Sequence, residues 1–366
     1  MPQREYFGYG SIRNLKGILE KEGSRSPFLV TGKHSYESCG ARSALEPLLI
    51  GYKTARFSDF SSNPKIEEVQ KGFEMFKLGK YDIIIAVGGG SSIDVAKAIK
   101  LFYFNQTSVK VPLVAVPTTA GSGSEATHFI VYYIGKEKQS EGKPDLTLPD
   151  YVILDPSFTF SLPREIAAST AMDALAQAVE AYWSIYSTEE SKEFSRGAIK
   201  LLMESLETAV NSNDRTAKAN VMQAANLAGK AINIAKTTAS HSVAYPITSY
   251  FGIPHGHAAA LTLGEMLAYN SEVSDSDCND ARGAEYVRKT IGELTALFRA
   301  EDAQAAKATI KGLMQKAGLK ARLSELGLKS EDIEIIIQNG FNPARVKNNP
   351  RLLTEDDLRK ILKGIY

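Results

Sequence analysis

Short apolar runs alternate with helical periods through the first part of the chain. The runs Phe28-Leu29-Val30, Lys53-Thr54-Ala55-Arg56-Phe57, Ile83-Ile84-Ile85-Ala86-Val87, Leu113-Val114-Ala115-Val116 and Val152-Ile153-Leu154 have strand length and β-branched character. Between the second and third, Lys65 to Leu78 carries Ile66, Val69, Phe73 and Phe76 at helical spacing. Strands alternating with helices pack as a parallel, doubly wound sheet. After Pro163 the strand-like runs stop, and windows rich in Ala, Leu, Glu and Lys continue to Tyr366. The pattern predicts an α/β domain over residues 1–158 and an all-α domain over residues 159–366. Asn213-Asp214, Pro254 with Gly256, and Thr354-Glu355-Asp356-Asp357 read as helix boundaries inside the second domain.

Two loops follow predicted strands. Val87-Gly88-Gly89-Gly90-Ser91-Ser92-Ile93-Asp94 leaves one strand and opens a helix through Val95, Ala96 and Ala98. Consecutive glycines let backbone N–H groups approach a pyrophosphate, and the helix N-terminus adds partial positive charge. The loop is neither G-x-G-x-x-G nor a Walker loop, so alone it is equally a tight turn. A second loop, Pro117-Thr118-Thr119-Ala120-Gly121-Ser122-Gly123-Ser124-Glu125, follows the next strand. Two such loops at successive strand ends lie where α/β sheets bind ligands, so Gly88, Gly89, Gly90, Ser91, Ser92, Asp94, Thr118, Thr119 and Ser122 are candidate coenzyme contacts.

Composition changes this picture little. With 366 residues and 43% hydrophobic content the chain can bury a large core, and 43 basic against 42 acidic residues leave a net charge of +1. That balance argues against nucleic acid or a membrane surface as partner. The start, Met1-Pro2-Gln3-Arg4-Glu5, has no apolar signal core, and a cytoplasmic location is expected. Cys39 and Cys278, far apart, predict free thiols.

The second domain holds a different set. Asp173 and Gln177 are four residues apart and share a helix face. His241 and His255 follow, 255 − 241 = 14 residues apart, with Tyr245 one turn after the first and His257 just past the second. One carboxylate with two imidazoles suits a divalent first-row metal that keeps an open position.

Taken together, Gly88-Gly89-Gly90-Ser91, Pro117-Thr118-Thr119 with Gly121-Ser122-Gly123-Ser124-Glu125, Asp173-Ala174-Leu175 running to Glu180-Ala181-Tyr182, and Pro254-His255-Gly256 resemble the iron-containing (group III) alcohol dehydrogenases over essentially the whole chain. The resemblance implies the dehydroquinate synthase-like fold of that family, NADH or NADPH on the triple-glycine loop, and Fe²⁺, or alternatively Zn²⁺, held by one Asp and three His. It also implies a homodimer. Asp173, His241 and His255 match ligand positions; the fourth position is Gln177, a neutral oxygen donor where the family pattern has His. Tyr245 stands where many relatives carry a His, and with His257 is a candidate proton source. Gly32, beside Lys33, replaces an Asp that would grip a ribose hydroxyl and repel a 2′-phosphate, which favours NADPH.

The segments GSGSEATHF, SIYSTEES, KAINIAKTT, YPITSYFGIPHGH and RVKNNPR are similar to one branch of the family, the phosphonoacetaldehyde reductases. This implies reduction of a small anionic aldehyde to 2-hydroxyethylphosphonate, with Lys236, Arg345 and Lys347 as cations for the anionic end. Other small aldehydes, sulfoacetaldehyde and lactaldehyde among them, remain open as substrates. So does a metal-free nucleotide-binding descendant, because of Gln177.

Overall fold

The computed structural model describes residues 3–135, 137–341 and 346–366. The chain divides into two compact units, Met1–Leu162 and Pro163–Tyr366. In the first, the strands are β1 (Arg4–Phe7), β2 (Pro27–Thr31), β3 (Ala55–Phe57), β4 (Ile83–Gly88), β5 (Leu113–Pro117), β6 (Ile130–Ile134), β7 (Glu137–Glu141) and β8 (Tyr151–Leu154). Six of them form a sheet in the order β1-β8-β5-β4-β2-β3, every neighbouring pair parallel, and β6 and β7 make a separate antiparallel pair. The longer helices of this unit are α1 (Asn14–Lys21), α2 (Ile66–Gly79) and α3 (Gly90–Thr107).

The central strands read as unbroken apolar runs because both faces are covered. Phe28, Val30, Ile84, Ala86, Leu113 and Ala115 join one core with Val69 and Phe73 of α2 and Ile99 of α3. Leu29, Ile83, Ile85, Val87, Val114 and Val116 alternate with them and join the other core with Leu15 and Ile18 of α1. Full burial of each such side chain is worth about 1.5–3 kcal/mol.

Strands β1, β6 and β7 lie outside the predicted set: β1 and β7 carry no such signal, whereas β6 (IVYYI) is an apolar run with Ile130 in the core. β1 is an edge strand with mostly exposed side chains, and β7 (EKQSE) is polar throughout. β3 begins at Ala55, two residues later than its apolar run. The strand order turns outward from one point: β2 leads to β3 on one side, and β4 leads to β5 and β8 on the other. The carboxyl ends of β2 and β4 therefore flank the switch point at which doubly wound sheets bind ligands.

The second unit is helical: α4 (Arg164–Trp183), α5 (Glu189–Asn211), α6 (Arg215–Ala235), α7 (Ala239–Phe251), α8 (His255–Ser271), α9 (Ala284–Leu297), α10 (Ala303–Lys316), α11 (Asp332–Gly340) and α12 (Glu355–Gly364). α4 is buried on nearly all sides from Ala168 to Trp183 and packs against α5, α6 and α8, so it is the unit's central helix. Two of the expected boundaries are built by side-chain caps, and the third, before His255, has Pro254 at the cap without a side-chain bond. Asp214 accepts from Ala217 N at 2.7 Å, and Thr354 Oγ1 accepts from Asp357 N at 3.1 Å, each cap contributing about 1 kcal/mol. Cys39 and Cys278 are free, and among the described residues no helix is long and apolar enough to cross a membrane.

Candidate metal centre and coenzyme loops

In the first unit the two glycine-bearing loops meet. Gly88 ends β4, Gly89 caps α3, and Thr118 N donates to Gly88 O at 3.0 Å. A Cβ on Gly88 would lie 2.2 Å from Ser92 Oγ, and one on Gly90 would lie 2.8 Å from Ser122 Oγ. Only glycine lets the strand end and the second loop approach this closely. Thr119 and Ser122 thus flank the triple-glycine turn, and Gly32 joins from the end of β2, its N–H donating to Val87 O at 3.3 Å. Lys33 is exposed beside it.

Two of the expected contacts are spent on the protein itself. Ser91 Oγ donates to Ser62 O, and Asp94 accepts from Ser124 Oγ at 2.5 Å. Asp94 also faces Lys97, a lysine with no exposed surface, whose Nζ donates to Ser124 Oγ at 3.0 Å and to Phe129 O at 2.9 Å. Burial lowers the Lys97 ammonium to about 8, against the opposing pull of Asp94. Lys97 is therefore the buried peg that holds the second loop, a role the motif reading missed. Arg56 was missed as well: Nε donates to Thr31 Oγ1 at 2.7 Å and Nη2 to Gly32 O at 3.1 Å and Lys33 O at 3.2 Å, which puts a second cation at the end of β2.

In the second unit, one group of metal-type side chains converges among the described residues: Asp173, His241 and His255, their candidate ligand atoms all within 4.8 Å of one another. They come from three helices, Asp173 from the centre of α4, His241 from the first turn of α7 and His255 from the first residue of α8. The approach of α8 to α4 depends on Gly256, where a Cβ would lie 2.0 Å from Ser169 O and 2.5 Å from Asp173 Cβ.

The polar atoms of this group fit a cation. Asp173 Oδ1 and His241 Nε2 are buried, 3.4 Å apart, and neither has a hydrogen-bond partner. A buried carboxylate oxygen and a ring nitrogen left unbonded are costly unless an ion fills the space between them. Burial opposes protonation of His241, but the Glu180 and Asp173 carboxylates outweigh it and raise its affinity for positive charge. One carboxylate oxygen and two imidazole nitrogens are a donor set for Fe²⁺ or Zn²⁺.

Gln177 lies one turn along α4 and donates from Nε2 to Asp173 Oδ2 at 3.2 Å, so it meets the carboxylate through its amide nitrogen. Tyr245 is half-buried and stacks on His255, with ring centroids 5.3 Å apart and planes 8° apart. His257 does not join the group. It is buried, its Nε2 bonds Lys320 O at 2.7 Å, and its backbone N–H donates to Ser169 Oγ at 3.1 Å.

Glu180, named in the sequence only as part of a motif, lies against the group from the same helix. Positions 173, 177 and 180 have the i, i+4, i+7 spacing of one helix face, a signal that was available. It is fully buried, accepts from Thr238 Oγ1 and Ser240 N at 2.8 Å each, and pairs through Oε2 with His241 Nδ1.

Two of the cations expected for an anionic substrate, Lys236 and Lys347, are exposed. Lys236 Nζ sits 5.1 Å over the Tyr186 ring, and Lys347 is on the surface. Their segments are tied together, since Asn348 Nδ2 donates to Thr237 O at 3.0 Å. Arg345 lies outside the described residues.

Comparison with known proteins matches residues 2–156 to the iron-containing alcohol dehydrogenase model and residues 167–366 to the C-terminal model of the Fe-containing alcohol dehydrogenase family. The chain is 28% identical to an NAD-dependent methanol dehydrogenase of Bacillus methanolicus, over 100% of this chain and 98% of that protein. It is 32% identical to a phosphonoacetaldehyde reductase of Streptomyces viridochromogenes, over 77% of this chain and 75% of that protein. Among solved structures it resembles a sulfoacetaldehyde reductase of Bifidobacterium kashiwanohense in complex with NAD⁺, at TM-score 0.86 and 30% identity, covering 100% of this chain and 97% of that one.

Proposed function

Because the chain belongs to the iron-containing alcohol dehydrogenase family, whose chemistry is NAD(P)-linked oxidoreduction of alcohols and aldehydes with a divalent metal, we propose that it reduces a small anionic aldehyde, phosphonoacetaldehyde first among the candidates, to the primary alcohol. The observation that carries the metal part of this reading is the pair of unbonded buried atoms, Asp173 Oδ1 and His241 Nε2, beside His255. Asp173, His241 and His255 hold the ion, with Gln177 against Asp173 in place of a third imidazole. A divalent cation there would polarise the carbonyl oxygen as a Lewis acid, and NADPH or NADH would supply the hydride.

The chain's own groups do the rest. Tyr245, half-buried on the ring of His255, relays a proton from solvent to the new alkoxide; His257 is the poorer candidate because its ring is committed to Lys320 O. Backbone N–H groups of Gly88 to Ser92, with Thr118, Thr119 and Ser122, cradle the coenzyme pyrophosphate at the N-terminus of α3. Gly32 offers no carboxylate to repel a 2′-phosphate, and Lys33 and Arg56 stand beside it, which favours NADPH.

Support for an anionic substrate comes from two named relatives that act on phosphonate- and sulfonate-bearing aldehydes, and from Lys236 and Lys347 on two segments joined by Asn348. Protein loaded with Fe²⁺ or Zn²⁺ should turn over phosphonoacetaldehyde or sulfoacetaldehyde with higher kcat/KM than propanal. Arg345→Ala and Lys347→Ala should lower the anionic rates selectively, and an equal loss on propanal removes their assigned role. His255→Ala should lose bound metal and turnover together; full turnover in metal-stripped His255→Ala sinks the mechanism.

A further inference from the structure

We propose that Glu180 is a positioning residue for the metal centre: it fixes the protonation pattern and ring orientation of His241, so that Nε2 presents a lone pair toward Asp173 and His255. The inference rests on the metal reading above and adds to it the group that sets ligand geometry.

Glu180 has no exposed surface, and nearly all of its hydrogen bonding is directed at one turn of chain. Oε1 accepts from Thr238 N at 3.2 Å, Thr238 Oγ1 at 2.8 Å, Ser240 N at 2.8 Å and His241 N at 3.3 Å. These are the orphan donors at the start of α7, so the carboxylate caps that helix from a neighbouring one. Oε2 is left for a single partner, His241 Nδ1. A carboxylate can only accept, so Nδ1 carries a proton, which leaves Nε2 as the nitrogen available to a metal.

The carboxylate is itself held. Trp183 Nε1 donates to Thr238 Oγ1 at 2.9 Å, and Thr238 passes its own proton to Glu180. Asp173 and Glu180 share one face of α4, so ligand and positioning carboxylate belong to one rigid rod. A ligating imidazole whose other nitrogen is fixed in this way loses no freedom on binding and is a better base.

Glu180→Gln separates this role from simple filling of space. Gln keeps the shape and can still accept from α7 at Oε1, but its NH₂ faces His241 Nδ1. That favours the opposite tautomer, with the proton on Nε2. The test measures Zn²⁺ dissociation constants by chelator competition, together with the ¹⁵N shift of the His241 Nδ1–H in the Zn²⁺-loaded protein and the thermal midpoint.

The expected result is a folded variant that binds Zn²⁺ about 10- to 100-fold more weakly, with the His241 Nδ1–H signal of the Zn²⁺-loaded protein shifted. A purely structural role predicts a lower midpoint with affinity and Nδ1–H signal unchanged, and that outcome overturns the inference. Should Glu180→Gln fail to fold, Thr238→Val decides: it loosens Glu180 without touching His241, and an affinity for Zn²⁺ equal to that of the unaltered protein overturns the inference. Absence of Zn²⁺ binding by the unaltered protein overturns the metal reading itself, a result distinct from equal binding by protein and variant.

Discussion

At the scale of single residues, the proposed ligand set rests on which polar atoms are left over. Asp173 offers Oδ1 and keeps Oδ2 for Gln177; His241 offers Nε2 and keeps Nδ1 for Glu180. Gln177 stands where the family pattern has a third imidazole, and an amide is the weaker donor for Fe²⁺ or Zn²⁺. Gln177→His should therefore tighten Zn²⁺ binding roughly tenfold, about 1.4 kcal/mol. Chelator competition measures it, and an unchanged constant would mean that a side chain at this position does not reach the ion.

At the scale of elements, the site is a meeting of helix ends with a helix centre. His241 and His255 begin α7 and α8, while Asp173 lies midway along α4. The spacing that brings α8 against α4 is set at Gly256, so Gly256→Ala must push the two ligand-bearing helices apart. Overpacking of this kind destabilises by about 1–3 kcal/mol, to be read from urea denaturation, and metal affinity should fall with it. A variant as stable and as tightly metalated as the parent would show that the helices can yield elsewhere.

Much of this element-level order was legible beforehand, for physical reasons. Strands buried on both faces leave unbroken apolar runs, and the turn after β4 leaves glycines; both are local signals. The Asp173–Gln177 face was legible because helical neighbours are close in sequence. That His241 and His255 converge with it was not, since nothing within a few residues of either encodes a contact made across three helices; there the family resemblance carried the expectation. Lys97 is recognisable as a buried charge only once its partners are known, whereas Glu180 carried a readable signal in its place on the helix face of Asp173 and Gln177. β1 and β7 escaped because exposed strands have no apolar side to display.

At the scale of the whole chain, two units of different architecture hold the two proposed sites, the first the coenzyme loops and the second the cation group. Their chemistry can be probed separately. Coenzyme preference belongs to the end of β2, where Gly32, Lys33 and Arg56 stand. NADPH should give the higher kcat/KM, and equal or better efficiency with NADH would remove the argument from the missing carboxylate.

The pairing of β1 with β8 also bears on how the chain is made. Residues 4–7 leave the ribosome well before their partner, Tyr151–Leu154, and Ile12 N is held by Asp155 Oδ2 at 3.3 Å. During vectorial synthesis the leading segment must wait, unpaired, until some 150 residues have followed it, a long loop to close before any reward is gained. The sheet should therefore acquire the β1–β8 pairing last, and in the helical unit Ile185 N waits in the same way for Asn348 O, 348 − 185 = 163 residues further on.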